Sequence, residues 1–145
     1  MSTYLHPTDE TGKQFYIDFH QKGPVVMLNL LKFKTVADYS DFPALKPVQE
    51  VTGKEAYDLY MACTAPHLKE AGSRVLFYGA CNQYLIGPEL ESWDSILLVE
   101  HASVHSFMAF AQHEAYLITA GHRTAALADS RLLPISQMRL PGSLE

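Results

Sequence analysis

Cysteine is scarce in this chain: Cys63 and Cys81 are the only two in 145 residues. The opening stretch, MSTYLHPTDETGKQF, is polar and lacks a basic region followed by an apolar core, so no secretory leader is expected. Without an oxidising compartment the two thiols read as reduced, partly buried core residues rather than a disulfide. Basic residues are also few, 11 against 16 acidic ones for a net charge of −5, and no cluster is denser than Lys32 and Lys34. Neutralising phosphates takes a basic stripe, so nucleic acid is not an expected partner. The longest apolar runs, VVMLNLL and ILLV, are far too short to cross a bilayer, so no membrane partner is expected either. These absences predict a soluble, cytoplasmic protein.

Cofactor signatures are missing too. No G-x-G-x-x-G, Walker or G-x-S-x-G motif occurs, which disfavours nucleotide cofactors and a serine-hydrolase elbow. Seven histidines are present, but their spacing is poor for metal. His101 and His105 straddle the end of one element and the start of the next, and HEAY at His113 is not a zinc motif. The expectation is no cofactor, no haem and no metal.

What is present is an ordinary globular balance, 48% hydrophobic and 19% charged, in a length suited to one domain. PTDETGKQFYIDFHQKG reads as a short amphipathic helix ending at Gly23-Pro24. PVVMLNLLKF follows as a strand that is apolar on both faces, which calls for cover on both sides. Residues 34–51 carry no clear period and form a long ordered excursion. The main helix starts at a capping box, Thr52 with Glu55, and stops at Gly72, with a kink expected near Ala62 from Pro66. SRVLFYGACNQYLIG and SWDSILLVEHA are strands joined through GPELE. SVHSFMAFAQ is a helix, and HEAYLITAGHRTAALADS continues as helical pieces broken around Gly121. RLLPI is the last strand. We divide the chain into a helical extension (1–22), a core (23–135) and a polar tail (136–145).

This order predicts an α+β fold: a ferredoxin-like β-α-β-β-α-β antiparallel sheet with its helices on one face. The other face needs cover as well, and a second copy of the chain is the simplest one, so a homodimer is expected.

The segments GPVVMLNLLKFK, GKEAYDLYMACTAPHL, RVLFYGACNQYLIGP, WDSILLVEHAS and HRTAALADSRLLPI together resemble the DUF1330 family of uncharacterised proteins. The resemblance spans roughly Gly23 to Ile135 and implies a dimeric α/β barrel. Similar barrels include cofactor-free monooxygenases, haem-degrading enzymes, lactone isomerases and ligand-sensing domains, which by analogy hold small ligands between sheet and helices. No motif of catalytic residues carries over.

The candidates for chemistry therefore come from the residues. On a continuous helix His122 and Asp129 would share one face, and such a pair could tune an imidazole as general base. Arg131 could hold a carboxylate or enolate by a forked hydrogen-bond pair. The bland alternative has Asp129 and Ser130 ending the helix while Arg131 pairs with Asp129. Asn29 interrupts an apolar strand face and must be satisfied by a ligand, a neighbouring strand or water. Tyr57, Tyr60, Tyr78 and Trp93 form an aromatic set that is either core or cleft, with Tyr60 the preferred site member beside the Pro66 kink. The expected site is one cleft between sheet and helices, with His122, Arg131 and Tyr60 catalytic and Asn29, Trp93 and Asp129 binding a small anionic or aromatic ligand. Its chemistry would be cofactor-independent proton transfer of the isomerase or monooxygenase kind. The alternatives are a non-catalytic module that binds a small acid and a structural dimer with no ligand.

Overall fold

A computed structural model describes residues 2–144. Helix α1 (Asp9–Phe19) precedes strand β1 (Val25–Phe33), helix α2 (Gly53–Glu70), strands β2 (Arg74–Ala80) and β3 (Ser95–His101). Three short helices, α3 (Val104–Ala111), α4 (Glu114–Thr119) and α5 (Gly121–Ala126), lead into strand β4 (Leu127–Ile135). The strands pair antiparallel in the order β2-β3-β1-β4. With one helical crossover between β1 and β2 and a helical run between β3 and β4, this is the ferredoxin-like arrangement. No helix among the described residues is long and apolar enough to cross a membrane.

Local chemistry accounts for most boundaries. Thr52 accepts from the Glu55 N–H at 3.1 Å while the Glu55 carboxylate accepts from the Thr52 N–H at 2.9 Å, so the anticipated capping box forms. Gly72 ends α2 with φ of +76°, a conformation only glycine adopts without strain. Ser103 caps α3 through the Ser106 N–H. The expected kink does not divide α2, which runs as one helix through Pro66.

Three boundaries differ from the sequence reading. The strand after α2 ends at Ala80 rather than continuing through Tyr84, and Trp93 lies just before β3 instead of on it. Cys81 follows that early end and is exposed, not core, while Cys63 is half-buried. The last strand begins at Leu127, so Asp129 and Ser130 belong to β4 and do not end a helix. Burial decides that last point: Ala125, Ala126 and Leu127 have no exposed surface, and the chain turns extended at Leu127 to carry its side chain into the core.

Residues 34–51 are an ordered excursion, as expected. Ala37 N–H donates to Val51 and Asp38 N–H to Ala125, while Phe42 and Leu45 pack against the core. Gly121 lets them approach, since a Cβ there would lie 2.5 Å from the Phe42 ring.

The sheet has two unequal faces. Val25, Met27, Asn29 and Leu31 alternate on one side of β1, and that side packs, with Leu97 and Val99, against Ala56, Tyr57 and Tyr60 of α2 and Ala125 to Leu127. On the other side Leu28 stands opposite Leu98 and Leu133, and Leu30 opposite Ile96 and Arg131. No helix among the described residues covers that side. Phe77, opposite Leu98, is 57% exposed and Leu133 59%.

Candidate functional site

Register places three of the six anticipated site residues together on the open face. Directly paired residues share a face, so Arg131 lies beside Leu30, and Asp129 beside Lys32, at one end of β1 and β4. The β2–β3 connection brings Ser92 and Trp93 to the same end. There Lys32, Ser92, Trp93, Asp129 and Arg131 line a cavity of about 240 Å³. Trp93 is buried, and its indole N–H donates to the Tyr84 hydroxyl at 2.8 Å, which satisfies the one polar atom of the ring.

Arg131 is the centre of this group. Its guanidinium carbon lies 4.8 Å from the Tyr4 ring centroid and 5.0 Å from that of Trp93, cation–π distances to two aromatic faces. Nη1 donates to Asp129 Oδ1 at 2.7 Å and to the Ser130 carbonyl at 2.8 Å. Nη2 and Nε have no acceptor among the described residues, so part of the fork is open. Burial opposes ionisation of Asp129, yet hydrogen bonds from the Tyr4 N–H, from Arg131 and from the Ser130 N–H hold its carboxyl below the usual range. Asp129 is thus a carboxylate that orients Arg131 and ties the N-terminal segment to β4. Lys32 Nζ donates to the Ser92 carbonyl at 3.2 Å and to its hydroxyl at 3.3 Å, which holds a second cation at the cavity wall. Tyr4, Lys32 and Ser92 were missed in the sequence reading. Lys32 did leave a signal, since it breaks the apolar run Val26, Leu28, Leu30 on its face of β1.

The remaining three residues lie elsewhere, which corrects the expectation of one shared cleft. His122, Tyr60 and Asn29 sit on the helix-covered side, across the sheet from Arg131. His122 cannot pair with Asp129, because α5 ends at Ala126 and Asp129 turns with β4 to the other face. Its Nδ1 instead meets the Tyr39 hydroxyl at 2.6 Å. Burial lowers the affinity of His122 for a proton and raises the Tyr39 phenol, so the pair is neutral. Tyr39 comes from the excursion, 83 residues away, and no local pattern announces it.

The Tyr60 hydroxyl pairs with that of Tyr116 at 2.8 Å. Desolvation pushes its ionisation far up, and that of Tyr57 likewise, so both are neutral core phenols at any physiological pH. The Asn29 amide donates to the main-chain carbonyls of Leu97 (3.2 Å) and Met27 (3.3 Å), which meets its need without a ligand. A further buried pair escaped the sequence reading: Ser73 Oγ and His101 Nδ1 at 2.7 Å. His101 is packed against Phe107 and Phe110, and burial lowers its pKa from 6.5 to about 4. No group of three or more His, Cys, Asp or Glu side chains among the described residues is placed to hold a metal ion.

The comparisons with known proteins agree with the fold and add a family. The RPA0582 protein of Rhodopseudomonas palustris, a protein of unknown function, superposes with a TM-score of 0.83 at 32% identity over 96% of this chain and all of its own. Its methylated form matches at 34% identity over 98% of this chain and 99% of its own, again with a TM-score of 0.83. A putative antibiotic biosynthesis monooxygenase from Caulobacter crescentus shares the fold alone, with a TM-score of 0.52 and 11% identity over 87% of this chain and 99% of its own. This is a ferredoxin-like α+β protein. It belongs to the family of the Rhodopseudomonas palustris RPA0582 protein. No family model and no curated protein matches the chain, so the DUF1330 resemblance is not confirmed by either.

Proposed function

We propose that this protein is a homodimeric binding module for a small organic acid, held at Arg131 on the open face of the sheet. The carrying observation is the Arg131 guanidinium, stacked by Tyr4 and Trp93, oriented by Asp129 and left with part of its fork free at a cavity wall. Such an arrangement suits a carboxylate, which takes the free N–H groups, attached to a small apolar body at the cavity mouth. Lys32 adds a second positive charge to a lining that also carries the carboxylates of Asp129 and Glu91.

Dimerisation is supported by the open face itself. Strands 4.8 Å apart and up to nine residues long present roughly 500 Å² of flat footprint per copy, more once side-chain relief is included. Monomers rarely expose a contiguous apolar patch beyond a few hundred Å², and a standard interface covers about 800 Å² per partner.

The enzymatic reading is weaker than the binding one. A base at His122 or a phenol at Tyr60 would have to act on a ligand held by Arg131, and the sheet stands between them. Titration calorimetry with benzoate, against its uncharged analogue benzamide, tests the proposal. Benzoate alone is expected to bind, and Arg131→Lys to weaken it about tenfold or more, because lysine lacks the planar fork. Equal binding of benzamide, or an undiminished affinity in Arg131→Lys, would overturn it.

A further inference from the structure

We infer that the acid site is completed by the second copy, so that ligand binding and dimerisation are one coupled equilibrium. The inference rests on the acid-binding reading above and goes beyond it. Register puts Lys32, Asp129 and Arg131 on the same face as Leu28, Leu30, Ile96, Leu98 and Leu133. Whatever covers those apolar residues therefore also lies over the Arg131 end of the sheet. The site does not neighbour the dimer face; it is part of it.

The dimensions of the cavity point the same way. Pockets that hold a small molecule tightly enclose roughly 300–1,000 Å³ and bury most of the ligand surface. The cavity here is about 240 Å³, and Leu90 on its wall is 95% exposed. Arg131 itself keeps 37% of its side chain in solvent. One subunit supplies a floor of Trp93 and Arg131 and a wall of Lys32 and Ser92, but no roof. In water an exposed guanidinium holds a carboxylate weakly, since solvent screens the pair, and closure by an apolar partner face would strengthen the same contacts. Coupling is reciprocal: a ligand that binds the dimer better must tighten the dimer by the same factor for each of the two sites it fills.

The experiment is sedimentation equilibrium of the full chain with and without saturating benzoate, with benzamide as control, beside calorimetry on two variants. Phe77→Asp and Leu133→Asp place a charge on the open face away from the cavity, at positions more than half exposed, so each subunit should keep its fold. Circular dichroism and the melting curve check that. Saturating benzoate should lower the dimer dissociation constant about a hundredfold, about tenfold for each of its two sites, while benzamide leaves it unchanged. A folded, monomeric variant should lose benzoate binding at least tenfold although its own Arg131, Lys32 and Trp93 are intact.

Benzoate bound by a folded monomer with wild-type affinity would overturn the inference and leave the acid-binding reading standing. An unmoved dimer constant in the presence of bound benzoate would do the same. Variants that stay dimeric would overturn it by showing that the interface lies elsewhere. Failure of the wild-type dimer to bind benzoate at all would instead remove the acid-binding reading, and the inference with it.

Discussion

The two faces of the sheet are built from similar residues and differ in what they lack. On the covered face most buried polar groups have an internal answer: Tyr39 meets His122, Tyr60 meets Tyr116, Ser73 meets His101, and Asn29 bonds main-chain carbonyls, while Thr64 Oγ1 and His67 Nδ1 of α2 have no partner among the described residues. On the open face, among the described residues, the apolar side chains lack cover and Arg131 lacks acceptors for part of its fork. Buried polar pairs of the first kind stabilise one packed state and have nothing left for a ligand. Unmet demand of the second kind marks a surface that has work with something outside the chain. A cluster of histidine and tyrosine is the more suggestive in sequence, yet the incomplete face is where binding is to be sought.

If the difference holds, substitutions on the covered face should cost the fold and those on the open face should cost association. The largest effect is expected from Leu127→Ala. Its side chain has no exposed surface, and truncation should lower unfolding free energy by about 2–5 kcal/mol in a urea titration. A Cβ at Gly53 would collide with the Lys34 and Ala126 carbonyl oxygens, and Gly53→Ala is expected to fall in the same range.

Next comes acid. His101 has a folded-state pKa of about 4 against an ordinary 6.5, so the unfolded chain binds the proton more tightly. The contribution is fully present above pH 6.5, shrinks as pH falls, and by pH 4 has removed about 3 kcal/mol. Urea unfolding at pH 7.5 and 4.5 should show this loss, and His101→Phe should flatten it. A protein equally stable at both values would mean that His101 is not desolvated. Smaller again is Tyr39→Phe, which leaves His122 Nδ1 buried without its partner and should cost about 1–3 kcal/mol.

Smallest for the fold of the single chain are Arg131→Lys and Leu133→Asp on the open face, each within about 0.5 kcal/mol of the wild type. Leu133→Asp should nevertheless abolish the dependence of melting temperature on protein concentration, because that dependence belongs to association. A melting curve that still shifts with concentration would place the interface elsewhere.

The fold was largely legible because its signals are local. Thr52 with Glu55, Gly72 and the alternation of Val25 to Phe33 each act within a few residues of where they are read. The stretch from His122 to Ile135 was misread for the opposite reason. Ala-Ala-Leu-Ala-Asp-Ser has helix-former and helix-end chemistry, but the core needed Leu127, and that demand comes from α2 and the excursion, not from neighbours in sequence. The site followed the same rule. Arg131 with Asp129 is a contact two residues apart and was anticipated, whereas Tyr4 stacking on Arg131 and Tyr39 bonding His122 join distant segments that only the fold brings together. Alternation along β4 carries Asp129 and Arg131 to the open face, while His122 stays on α5 over the covered one.

The central claim is that the uncovered sheet face pairs with a second copy, and sedimentation velocity on the full chain at about micromolar concentration addresses it directly, that being a range in which an interface of standard size is populated. The wild type should sediment as a single species at twice the chain mass and Leu133→Asp as a single species at the chain mass. A wild-type monomer at that concentration, or a Leu133→Asp dimer, would contradict it.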